Sequence, residues 1–256
     1  MKIRIKFRKH GAMKFIGHLD VMRYFQKAIR RSDINIRYSE GFSPHQIMSF
    51  AAPLGVGITS NGEYVDIDVL STFSSEEAVR RLNDTMSEGF EIVSYRLLPD
   101  SAANAMSIVA AADYTLTFRP GYEPTDKKPE EWFREMAVFF DRPEVFVSKK
   151  TKKGETQVNL KPLVYELKLT ESDGKEGQLP HTPALFMKVS SGSAANVKPD
   201  MVLDAFYAEL GQERPPFAFL IQREEVYADL ASDQEKESGH HRFVSLESLG
   251  QEISNE

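Results

Sequence analysis

The 256-residue chain contains no cysteine and a single tryptophan, and none of its apolar runs approaches the roughly 20 residues needed to cross a bilayer. Without cysteine there are no disulfide staples, no thiolate metal sites, no cysteine nucleophile and no iron–sulfur cluster held by this chain's own thiolates. The amino terminus is a charged, alternating segment rather than a charged-then-apolar signal, so a soluble cytoplasmic protein without a membrane partner is expected. A Ser-His-Asp order, a phosphate-cradling glycine loop and a nucleophile elbow are also lacking. What is present is 41% hydrophobic residues, enough for a sizeable core, and a net charge of −6 that is unevenly spread.

Residues 1–50 hold eleven Lys or Arg (including Lys6, Arg8, Arg23, Arg30, Arg31 and Arg37) against Asp20, Asp33 and Glu40, a local balance of +8. Residues 224–256 hold nine acids against Lys236 and Arg242, a balance of −7, with few large apolar side chains. The second segment reads as an acidic, flexible tail outside the core.

Residues 2–8 alternate strictly. Ile3, Ile5 and Phe7 fall on one face and Lys2, Arg4, Lys6 and Arg8 on the other, which predicts a strand with a basic outer face. Leu19, Met22, Phe25, Ala28 and Ile29 recur at helical spacing, predicting a helix over about 18–32 with arginines on its other side. Strands near 47–50 and 63–69, a serine-capped helix from Ser74 to about Met86 and a strand over 90–97 complete a β-α-β-β-α-β order. A looser version recurs over 113–224, after the alanine-rich stretch 102–112. The fold expected is α+β: tandem ferredoxin-like halves with antiparallel sheets, over 1–100 and 111–226, followed by the tail at 227–256. A basic run, Lys149–Gly154, reads as a hairpin tip.

Two turns concentrate polar chemistry: Phe15-Ile16-Gly17-His18-Leu19-Asp20 and Tyr38-Ser39-Glu40-Gly41-Phe42-Ser43-Pro44-His45. With Pro53-Leu54-Gly55-Val56-Gly57 and Glu63-Tyr64-Val65-Asp66-Ile67, they resemble the radical-SAM-linked protein family, a domain of unknown function. The resemblance is strongest over residues 1–100, and Gln46 stands where a proline is expected. It implies an accessory role beside a cobalamin-binding-type radical SAM protein, with S-adenosylmethionine and the iron–sulfur cluster on that partner and no cofactor in this chain. The tandem halves and basic strand also look like RNA-handling domains, including CRISPR repeat-processing endonucleases, a likeness of fold alone.

The residues leave several readings open. Lys6, Arg8, Arg23, Arg30, Arg31 and Arg37 can neutralise phosphates, with Tyr24, Tyr38 or Phe42 stacking on an unpaired base. The same side chains can instead be a solvated surface or dock on an acidic protein. Gly17, His18, Asp20, Ser43, His45 and Glu63 are expected to shape one pocket. His18, Asp20, His45 and Glu63 are the candidate metal ligands, although their spacing demands no metal. His18 or His45 can serve as a general acid or base, or can cap the first helix and fix the Ser43-Pro44 turn. The expected function is a non-catalytic accessory module that binds RNA or a ribosome-related assembly and presents it to a radical SAM enzyme. The alternatives are an adaptor docking on that enzyme without nucleic acid, and a metal-independent RNA endonuclease using a histidine.

Overall fold

The structure is a computed structural model that describes residues 1–151, 154–172, 174, 181–193 and 195–254. In chain order it contains β1 (Lys2–Lys9), α1 (His18–Arg31), β2 (Asn35–Ile36), β3 (Met48–Phe50), β4 (Thr59–Ser71), α2 (Ser75–Asn83) and β5 (Phe90–Leu98). These are followed by α3 (Ala105–Ile108), β6 (Val109–Phe118), α4 (Pro129–Phe139), β7 (Phe146–Thr151), β8 (Gly154–Asn159), β9 (Val164–Glu171) and β10 (Pro183–Ser190). The last elements are α5 (Pro199–Glu209), β11 (Phe219–Asp229), α6 (Asp233–Glu237) and β12 (Phe243–Ser245). The class is mixed α+β with mostly antiparallel pairing. Two compact units divide the chain: Met1–Ala110 with Glu225–Glu256, and Ala111–Glu224.

In the first unit β1 lies between β5 and β4, and the short β2 and β3 pair with β4. The alternation of β1 places Ile3, Ile5 and Phe7 in the core, where the Phe7 ring meets Phe25 at 4.5 Å and Phe50 at 6.0 Å. The helical stripe of α1 buries Val21, Phe25, Ala28 and Ile29 against the same cluster. Ser32 ends the helix by donating its hydroxyl to the Ile29 carbonyl at 2.9 Å. On α2, Ser74 accepts from the Glu77 backbone N–H, so the serine cap sits where its spacing placed it. The alanine-rich stretch resolves into α3 and the start of β6.

The second unit orders β9-β10-β6 antiparallel, with β11 beside β6. Helices α4 and α5 bury Trp132, Phe133, Phe139, Val202 and Phe206, with Trp132 edge-on to Phe206 at 4.9 Å. Strands β7 and β8 form a separate hairpin from Phe146↔Asn159 to Thr151↔Gly154. Lys152 and Lys153 of the expected basic tip lie outside the described residues.

The structure overturns the expectation of a basic outer face on β1. Arg4 is 1% exposed and makes a two-pronged ion pair with Asp66 on β4, at 2.8 and 2.9 Å, while Asp66 is 4% exposed. Backbone groups add one bond to each partner: Arg4 Nη1 donates to the Leu246 carbonyl at 3.1 Å, and Asp66 Oδ2 accepts from the Ala105 N–H at 2.8 Å. Alternation fixes which side chains share a face but does not say whether that face is covered.

The cover is the segment expected to lie outside the core. Residues 225–254 continue β11, form α6 with a Ser232–Glu235 capping box, and add β12 to β11 at Tyr227↔Ser245. Leu246 is fully buried, Gln251 bridges Leu97, and Ile253 exchanges hydrogen bonds with Ser75. Some of its acids act as counter-charges, while Asp233 stays fully in solvent. Glu247 and Glu252 reach Arg96, and Glu247 reaches Lys6.

Removing one member of a buried ion pair typically costs about 3–5 kcal/mol. Arg4→Met is therefore expected to lower unfolding stability by about that amount in urea titration. A loss below about 1 kcal/mol would contradict the buried-pair account.

Candidate functional site

Three groups of predicted site residues separate in the structure. The first is the strand. Lys6 is held by Glu225 at 2.7 Å and Glu247 at 3.1 Å, and Tyr64 donates to the other oxygen of Glu225 at 2.7 Å. Burial alone would lower the Lys6 pKa. The hydrogen bonds and charges of Glu225 and then Glu247 outweigh it, so the ammonium is held above its ordinary value. Burial, with the Glu225 charge, raises the Tyr64 phenol. Arg8 pairs with Glu91 at 2.9 Å across the β1–β5 ladder. Lys6 is therefore enclosed, and Arg8, although its pair is largely in solvent, projects from the face of β1 opposite the one packed on α1.

The second group lies on α1. Asp20, Arg23, Lys27 and Arg30 follow one helical stripe opposite the buried one, with Arg31 beside it, and all are exposed. Arg23 meets Asp20 at 3.4 Å with both side chains largely in solvent, a contact worth little. Arg31 donates to the Thr85 carbonyl at 3.1 Å. The loop after Arg37 docks beside this stripe through one shared acceptor. Gln46 Nε2 donates to the Gln26 carbonyl at 3.1 Å and approaches the Tyr38 hydroxyl at 3.4 Å, while Arg30 Nε reaches the same Gln26 carbonyl at 3.5 Å.

The neck of that loop is closed by Ser39. Its backbone N–H donates to the His45 carbonyl at 2.8 Å, and its hydroxyl bonds the His45 ring at 2.9 Å and accepts from the His45 N–H at 3.1 Å. Gly41 turns the tip at φ +109, which an L side chain rarely adopts. Phe42 stands fully exposed there, with Ser43 also in solvent. Tyr24, by contrast, is unavailable for stacking on a ligand: its ring stacks on Phe90 at 4.8 Å and its hydroxyl bonds the Ser87 N–H.

The third group surrounds His18, the first residue of α1. Gly17 is the N-cap at an ordinary φ of −78, and His18 caps nothing. His18, Glu63 and Lys9 line one narrow recess of about 10 Å³ with Phe7, Phe50 and Leu54, and the imidazole stands edge-on to Phe50 at 5.3 Å. Lys9 Nζ donates to the Ile16 carbonyl at 3.0 Å, and Glu63 accepts from Ser60 at 2.6 Å. A space of this size holds about one water.

The single expected pocket is therefore divided. His18 and Glu63 share the recess and Gly17 adjoins it in sequence, whereas Asp20 faces Arg23 and Ser43 and His45 belong to the loop. Among the described residues, no three His, Cys, Asp or Glu side chains converge as ligands to one metal ion would. Lys9 and the Gln26–Gln46 contact were not singled out in the sequence. Only the replacement of an expected proline by Gln46 hinted at the latter.

Apart from Glu225 and Glu247, these residues lie within 2–199, the part of the chain matched by the family described as "Uncharacterized protein conserved in bacteria (DUF2344)". The chain belongs to that family. The description names no radical SAM enzyme. Among solved structures, the chain is similar to one in the crystal structure of a Cbf5-Nop10-Gar1 complex, at 10% identity and a TM-score of 0.44. The similarity covers 86% of this chain but 48% of the other, so the match spans about half that chain's length. No curated protein matches.

Burial and then the Lys9 charge hold the His18 pKa below its ordinary value of about 6.5. The folded state therefore binds fewer protons than the unfolded one below that value. The neutral imidazole's contribution is complete above the unfolded pKa and is lost as pH falls from there through the folded one. An NMR titration is expected to place the His18 midpoint below that of a free imidazole, and a midpoint at or above it would contradict the desolvated recess.

Proposed function

We propose that this protein is a non-catalytic accessory module that binds RNA through α1 and the 37–46 loop and presents it to a radical SAM partner enzyme. The observation that carries the reading is the concentration of Arg23, Lys27, Arg30, Arg31 and Arg37 on one exposed region, beside two aromatic rings, while the cations of β1 are enclosed or paired. Phosphate binding needs cations whose counter-ions are mobile, and a protein carboxylate at 2.7 Å is not released as a sodium ion is. The contact set is thus smaller than the sequence expectation: Arg23, Arg30, Arg31 and Arg37 stay, Lys27 joins them, and Lys6 and Arg8 leave.

The radical SAM partner rests on the likeness of the 15–20, 38–45, 53–57 and 63–67 segments to the radical-SAM-linked family. Because the chain has no cysteine, S-adenosylmethionine and the cluster are assigned to that partner. Each unit's strand order, β5-β1-β4-β3 in the first and β11-β6-β10-β9 in the second, fits a ferredoxin-like half.

A second reading, a protein adaptor without RNA, is favoured by the exposed Phe15, Leu19 and Val56. The Gly57 N–H bonds the Lys14 carbonyl, which places Val56 close to Phe15. Under that reading a complex with the radical SAM enzyme survives nuclease and the protein alone retains no RNA.

The test is binding of a single-stranded RNA of about 12 nucleotides across a salt series. Arg23→Glu with Arg30→Glu is expected to weaken binding at least tenfold and to flatten the log–log salt slope by about 1.4 or more, the share of two phosphates, with the melting temperature unchanged. Arg8→Gln is expected to leave affinity within about twofold. Unchanged affinity in the double variant would overturn the reading.

A further inference from the structure

We infer that the ligand of this face is an unpaired RNA segment, with one base stacked on Phe42 and the neighbouring phosphate against Arg30. The inference rests on the proposed RNA reading and narrows it from RNA in general to single strands.

The argument begins with Phe42. Leaving a phenylalanine ring in water forfeits about 1.5–3 kcal/mol that burial would return. An unconstrained loop would fold such a ring against the protein. Here the loop is prevented from doing so: three hydrogen bonds between Ser39 and His45 close its neck, Gly41 sets a tip that L residues rarely adopt, and Pro44 stiffens its return. The loop is also fixed to the helix, because Gln46 donates to the Gln26 carbonyl and is itself 5% exposed. The ring is thus presented outward from a braced support.

Its surroundings select the ligand. Tyr38 is exposed at the base of the same loop, and contacts from Tyr38 through the Gln46 amide and the Gln26 carbonyl to Arg30 link an aromatic residue to a guanidinium. Arg23 and Lys27 extend the positive charge along the helix, where Asp20 is engaged by Arg23. Aromatic rings beside cations are the arrangement that binds single strands, since every base offers a π-face and every nucleotide a phosphate. Paired A-form RNA hides its base faces within the stack and would gain nothing from Phe42.

The experiment compares a uridine-rich single strand of about 12 nucleotides with a duplex of equal length, using the full chain and its Phe42→Ala and Phe42→Trp variants. The single strand is expected to bind at least tenfold tighter than the duplex. Phe42→Ala should lower single-strand affinity by roughly 5- to 150-fold, the loss of one stacked base, and leave duplex affinity unchanged. Phe42→Trp should retain binding, and its added fluorescence should be quenched by the single strand only, against the constant background of the buried Trp132. Equal affinity for the two RNAs, or an unaffected Phe42→Ala variant, would overturn the stacking inference while the RNA reading stands. Absence of binding to either RNA at low salt would overturn both.

Discussion

A guanidinium with almost no solvent contact must be neutralised and hydrogen-bonded, and in this fold the Arg4–Asp66 pair imposes that demand. Arg4 sits on β1 and Asp66 on β4, so the pair fixes the register Arg4↔Asp66 directly across the ladder. The spare valences then recruit chain from far away: the N–H of Ala105 at the start of α3 and the carbonyl of Leu246 after β12. Four distant stretches of the first unit are joined through one ion pair. The arrangement explains why the carboxy-terminal segment is packed rather than solvated, and why Leu246, at the point of contact, is fully buried.

That constraint sorts the basic charge of the amino-terminal fifth into two populations. The β1 cations Arg4, Lys6 and Arg8 point away from α1: Arg4 is held by Asp66 and Lys6 by Glu225 and Glu247, while Arg8 meets Glu91 at the surface. Cations on α1 face solvent because the buried stripe of the helix is already filled by Val21, Phe25, Ala28 and Ile29. Of those three β1 cations only Lys6 draws on acids near the carboxy terminus, Glu225 and Glu247, whereas Arg4 and Arg8 are matched by Asp66 and Glu91 within the first hundred residues. What remains is a smaller, sharper positive surface beside Tyr38 and Phe42.

Periodicity made most of the elements of the first unit legible in advance. The alternation of Ile3, Ile5 and Phe7, the stripe of α1 and the Ser74 cap all report local geometry, which depends on neighbours in sequence. The fate of Arg4 and Lys6 was not legible, because their partners lie 62 and more than 200 residues away and an exposed and a buried ion pair have the same sequence pattern. The packing of the carboxy-terminal segment is hidden in the sequence for the same reason. Composition reports charge but not whether each charge has a partner. At the site, the recess joining His18 and Glu63 fits their expected grouping, while His45 is claimed by Ser39 within its own loop. The bracing of the 37–46 loop by Gln26 is a contact between a side chain and a helix carbonyl, which leaves no signature in spacing.

The central claim is that RNA contacts the α1 and 37–46 face and not the β1 strand. Its most direct measurement is photocrosslinking of a 4-thiouridine-labelled single strand to the full chain, with the adducts mapped by mass spectrometry. Adducts at Tyr38, Phe42 or the α1 arginines are the predicted result. Adducts confined to peptides of β1 or β5, or to the second unit, would contradict the account.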